Sequence, residues 1–105
     1  MANRHRGEIE AELDGARHTL CLTLGALAEL EAAFGAADLS ALAARFGEGR
    51  LSARDAIRIL GAGLRGAGAT IDDHQVAAMR APNGAAGFAG IVSELLSATF
   101  GGSEG

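Results

Sequence analysis

Tryptophan, tyrosine and lysine are missing from this 105-residue chain, and proline and cysteine occur once each. Each absence narrows what the protein can be. Without Trp or Tyr the core has to be built from Leu, Ile, Val and four Phe, with abundant Ala letting helices approach closely. A lone Cys21 cannot close an internal disulfide, which suits a reducing compartment. Positive charge is also scarce: nine Arg stand against thirteen Asp and Glu, for a net charge of −4. No nucleic-acid partner is expected, because that surface needs a basic patch for the phosphates. No apolar run is long enough to span a membrane, so no membrane partner is expected. The basic start, Met1 to Gly7, leads into Glu8-Ile9-Glu10 rather than an apolar segment. A signal peptide of the usual form is therefore not read, and a cytoplasmic protein is expected.

What is present divides into a hairpin and a set of helices. Residues 8–13, Glu-Ile-Glu-Ala-Glu-Leu, alternate strictly, and Asp14-Gly15 is a strong two-residue hairpin turn. That turn sets Leu13 opposite Ala16, Glu12 opposite Arg17, Glu10 opposite Thr19 and Ile9 opposite Leu20. Ile9, Ala11, Leu13, Leu20 and Leu22 then share one face, with His18 at its edge, while Glu8, Glu10, Glu12, Arg17, Thr19 and Cys21 share the other. A lone hairpin is marginal in water, so its apolar face must lie on helices.

The switch comes at Leu24. Leu24, Leu27, Leu30 and Phe34 follow a helical period, with Thr23 as the cap and Gly35 as the stop. Asp38 caps a short second helix with Leu39, Leu42, Ala43 and Phe46 as its stripe. Ser52 and Asp55 form a capping box for a third helix. Its apolar side is Ala53, Ile57, Leu60, Leu64 and Ala67, and Arg54, Arg58 and Arg65 make a separate stripe. Ile59 lies on neither, which predicts burial on two sides and a central position. Gly61, Gly63, Gly66 and Gly68 each cost about 1 kcal/mol against Ala in a helix, so fraying is expected after Leu64. A fourth helix starts at Asp72, with Gln75 completing the box and Ile71 and Val76 as a hydrophobic staple, and stops at Ala81-Pro82. Asn83 is expected to cap a fifth helix through Phe88, Ile91, Val92, Leu95, Leu96, Thr99 and Phe100. The fold class is thus α+β, mostly α: an N-terminal β-hairpin packed on about five short helices. The expected organisation is a flexible 1–7, one domain at 8–100 (hairpin 8–23, helices 24–100) and a disordered tail at 101–105.

Chemistry-bearing groups do not converge. His5, His18 and His74 are scattered, without metal-ligand spacing. Cys21 has no His beside it, Asp72-Asp73 lacks the ligand spacing of a calcium loop, and the Gly-x-Gly pieces lie in or after a helix rather than between a strand and a helix. No enzyme activity, metal or cofactor is expected. The sharpest polar feature is the stripe of Arg54, Arg58 and Arg65, which is either a solvated face or a contact for an acidic partner. The apolar arc of the fifth helix is wider than one packing face requires. Beyond the core it offers Val92, Leu96 and Phe100 as a groove wall for another helix.

Four stretches carry a family resemblance: Asn3 to Glu8, Leu20 to Glu31, Gly49-Arg50-Leu51-Ser52, and Ile59 to Arg65. Across about residues 3 to 101 they resemble the small tail-cluster protein of alphaproteobacterial gene transfer agents, placed with phage tail assembly chaperones. The resemblance implies a non-enzymatic role in tail morphogenesis: binding the tape-measure protein and helping to recruit tail tube proteins, with a homo-oligomer possible. The alternative it leaves is a permanent minor part of the tail, a tube or joining protein. A small DNA-binding regulator built on helices three and four is disfavoured by the acidic balance.

Overall fold

The computed structural model describes residues 3, 6–47 and 51–101. Two antiparallel strands, β1 (Glu8–Leu13) and β2 (Ala16–Cys21), open the domain. Five helices follow: α1 (Leu24–Phe34), α2 (Leu39–Gly47), α3 (Ala53–Gly66), α4 (Asp73–Ala77) and α5 (Gly84–Leu96). A wide π-helical turn, Ser97–Gly101, extends α5. The α+β, mostly α architecture is the one expected. Asn3, Arg6 and Gly7 of the N-terminal segment are described, and Gly101 of the tail. The remainder of both, and Gly49-Arg50 of the third resemblance stretch, lie outside the described residues.

The hairpin has the expected register, with Leu13 opposite Ala16 and Ile9 opposite Leu20. Its turn works because Asp14 and Gly15 both take positive φ, 55° and 76°, which matches the twist of the flanking strands. Ile9, Ala11, Leu13, Leu20 and Leu22 are all buried. They meet α3, which packs against β2, α1, α4 and α5 and so occupies the centre. From Ile59 to Leu64 every residue of α3 is buried. Ile59 itself is buried, and α3 has neighbours on more than one side, as the place of Ile59 between the stripes predicts. Each such aliphatic side chain contributes about 1.5–3 kcal/mol by leaving water.

Most caps form as read. Thr23 Oγ1 accepts from the Ala26 amide at 3.1 Å, and Gly35 closes α1 with φ 71°. Asp38 accepts from Ala41 at 2.9 Å. Ser52 and Asp55 satisfy each other's backbone at 3.1 and 3.3 Å, and Asp72 and Gln75 do so at 2.8 and 2.9 Å.

Several expectations are corrected. Leu24 is 77% exposed, because the buried arc of α1 is centred on Ala26, Leu27 and Leu30; at roughly 100° per residue, Leu24 falls well outside it. Leu39, at the start of α2, is also exposed while Leu42 and Phe46 are buried. Ala53 and Ala67, at the two ends of α3, are exposed as well.

The third helix does not fray after Leu64. Gly66 is where α3 crosses β2 so closely that a Cβ would collide with the Cys21 carbonyl oxygen. Beyond it, Ala69 donates to Leu64 at 3.0 Å and Gly68 to Arg65 at 3.0 Å, with Gly68 at φ 105°. That pair of bonds is a Schellman stop. The glycines serve close approach and termination, not weakness.

The fourth helix ends at Ala77, short of Ala81-Pro82. Arg80 is drawn out to the hairpin turn instead: its amide donates to Asp14 Oδ1 at 2.8 Å, and its carbonyl accepts from the Asp14 amide at 2.8 Å. Asn83 makes no side-chain cap bond and sits at φ 69°. Pro82-Asn83 instead forms a type II turn, closed by Gly84 donating to Ala81 at 3.1 Å, and the left-handed backbone at Asn83 forgoes the capping geometry. The fifth helix reaches Phe100 only through the π turn, where Thr99 Oγ1 donates to the Leu95 carbonyl at 2.8 Å.

Candidate protein-binding surface

Arg65 is the most engaged of the three stripe residues. One guanidinium nitrogen, Nη2, donates to Glu29 of α1 at 2.6 Å. The other, Nη1, reaches Asp73 of α4 at 3.1 Å and the Ile71 carbonyl at 3.0 Å. The hydrogen bond to Glu29 does most to raise the Arg65 pKa above its ordinary value; partial burial works against that rise, and Asp73 adds to it. Arg65 thus ties three helices together. Its two companions differ: Arg54 is exposed, Arg58 is half-buried, and neither pairs with another described residue.

The nearby cation Arg45 is occupied, lying 4.8 Å over the Phe34 ring and 3.8 Å from Asp55. Phe34 meets Phe46 edge-on at 5.4 Å, and Phe46 meets Phe100 at 6.5 Å. Phe100 is therefore half-buried in an aromatic cluster reached through the π turn. Leu96 is half-buried against the core. Val92 is fully buried, yet it forms the floor of an open apolar trough of about 270 Å³ between α3 and α5. Ala53 and Ala56 form one wall and Ala85, Phe88 and Ala89 the other, with Leu51 at the mouth. Of the six residues singled out in the sequence, Val92 lines this trough, Arg54 and Arg58 lie on α3 outside its lining, and Arg65, Leu96 and Phe100 are held in contacts within the domain.

The alanine walls escaped sequence reasoning. Their signal was present as Ala85, Phe88, Ala89 and Val92, spaced three and four apart along one face of α5. The partner wall on α3 is visible only once the two helices are placed side by side.

Among the described residues no group of three His, Cys, Asp or Glu comes together, and no helix is long and apolar enough to cross a membrane. His18 sits at the hairpin edge with Nε2 3.2 Å from the Leu13 carbonyl. Cys21 is half-buried with Sγ 3.6 Å from the Arg6 carbonyl, and burial, then Glu8, push its thiol pKa up. Three further depressions among the described residues are open and edged by polar groups, such as the one around Glu12, Asp14 and Arg80.

A small helical domain with a hairpin lid, a closed aliphatic core and an apolar trough is a surface suited to contact with other proteins. Comparison with protein families then places it: residues 6–102 match the family described as phage tail tube protein, GTA-gp10, and the chain belongs to that family. It is a tail protein of the gene-transfer-agent and phage type. Compared with curated proteins and with solved structures, the chain matches none.

Proposed function

We propose that the protein acts in building a phage-like tail, through contacts with other tail proteins and without catalysis of its own. The observation that carries this reading is the family match, which spans nearly the whole domain. The description of that family names the tail tube, and so gives its most direct support to a lasting place in the tail, as a tube or joining component.

The assembly-chaperone reading draws on the fold. The sheet is one hairpin with six-residue strands, and the rest of the described chain is mostly helix. A tube ring assembled through β-sheet calls for more strand than this. A helical domain with an apolar trough suits the transient cover of exposed apolar helices, with tape-measure and tube proteins as the partners.

Quantitative mass spectrometry of purified particles separates the two. Presence in fixed ratio to the tube subunit supports the component, whereas absence from particles, with co-purification of the tape measure from cells, supports the chaperone. Normal tails in a strain lacking the gene would overturn both.

A further inference from the structure

We propose that residues 70–81, the segment that carries α4, form a latched strap that lifts off the domain as one unit well before the rest unfolds. Such a device belongs to the domain itself and stands with either tail role. Little holds the strap by burial. From Ile59 to Leu64 every residue of α3 is buried, whereas residues 70–81 bury Val76 alone, with Ile71, Asp73, Met79 and Ala81 half-buried. Segments with so few buried apolar contacts open at a fraction of the global unfolding free energy. At five residues, α4 is too short to persist once it leaves the surface.

What holds the strap instead is a polar latch near each end. At the first, Arg65 Nη1 donates to the Ile71 carbonyl at 3.0 Å and to Asp73 Oδ1 at 3.1 Å. Gly61 makes room for this latch, since a Cβ there would strike Asp73 Oδ1 and crowd the Arg65 guanidinium. At the second, Arg80 and Asp14 exchange two bonds of 2.8 Å, from the Arg80 amide to Asp14 Oδ1 and from the Asp14 amide to the Arg80 carbonyl. Just outside the latches the backbone turns left-handed, at Gly68 with φ 105° and at Asn83 with φ 69°. A few loop residues at such places absorb the dihedral change of a hinge. Ile57 and Leu64 lie within about 60° of Gly61 around α3. Lifting the strap therefore bares Leu64 and the apolar side of the central helix around it, a face that the closed domain conceals.

The test is native-state hydrogen exchange of the full chain, read residue by residue by NMR. The amides of Asp14, Val76, Met79 and Arg80 should share one opening free energy. Relative to intrinsic rates, they should exchange at least about tenfold faster than the Leu64 amide. Two substitutions unlatch one end each. Gly61→Ala displaces Asp73 and should speed all four amides by at least about fivefold. The Leu64 amide should meanwhile hold or slow, because Ala is the better helix former. Asp14→Gly keeps the left-handed turn but loses the side-chain bond to Arg80, and should speed Val76 and Met79 by a similar factor. Circular dichroism checks that each variant folds, and the wild-type pattern decides the matter without any variant. Exchange of the four amides only together with Leu64, or unequal opening at Asp14 and Val76, overturns the strap. So does a folded Gly61→Ala variant that leaves the four amides unmoved or speeds Leu64 equally.

Discussion

The two halves of α3 share one arginine stripe and one helical period but are spent differently. In the C-terminal half, residues Ile59 to Leu64 are all buried, Gly66 lies against β2, and Arg65 is held by two carboxylates. In the N-terminal half, Ala53 and Arg54 are exposed, Asp55 to Arg58 are half-buried, and Arg54 and Arg58 pair with no described residue. The first half builds the domain, and the second is left for something else. What separates them is which neighbours arrive: β2, α1 and α4 surround one end, while at the other α5 leaves a trough.

The contrast can be broken most severely at Leu64. Leu64→Ala removes a fully buried side chain and should cost about 3 kcal/mol in urea unfolding. Ile57→Ala, in the other half and only partly buried, should cost about 1 kcal/mol. Comparable losses at both would erase the distinction. Next comes the close crossing. Gly66→Ala drives a Cβ into backbone rather than into a movable side chain, and should destabilise by about 1–3 kcal/mol. Gly90→Ala, which faces open space in α5, should stabilise by up to about 1 kcal/mol on the same scale.

A smaller difference separates the arginines themselves. Arg65→Met should cost about 1 kcal/mol, less at high salt, because Glu29 and Asp73 are partly exposed. Arg54→Met should stay within about 0.5 kcal/mol. Since the Arg65 pKa is raised on folding, its contribution is whole below the ordinary arginine value and is lost only as pH climbs through the still higher folded value. A stability scan from neutral pH to about pH 10 should therefore leave the Arg65→Met difference unchanged on the arginine's account.

The smallest effect is at Cys21, whose thiol pKa burial raises above the ordinary 9.0. Folding then favours the protonated thiol, so this contribution is complete below the unfolded value and is lost as pH rises through the folded one. Alkylation of the native protein should reach half-maximal rate at a higher pH than alkylation of the urea-unfolded chain. Coincident profiles would show that folding does not shelter the thiol.

Much of the fold was legible because the signals are local. Asp14-Gly15 has only one register that puts Ile9, Leu13 and Leu20 on the same face, and Thr23, Ser52 and Asp72 cap whatever helix follows them. The misses share a cause. Gly66 and Gly68 read as weak helix until β2 is seen against the first and the Schellman bonds around the second. Arg80 leaves α4 for Asp14, a residue 66 positions away. Arg65 was indistinguishable from Arg54 and Arg58 by spacing, and Val92 looked like a groove wall rather than a buried floor.

The order of elements, the hairpin register and most of the caps follow from residues within a few positions of one another, where backbone geometry and side-chain reach leave little choice. Tertiary contact alone decided which arginine became a tie and which stayed open, where α4 stops, and that two alanine faces form a trough. Those outcomes depend on distances between segments far apart in the chain, and the periodicity of one helix carries no information about what packs beside it.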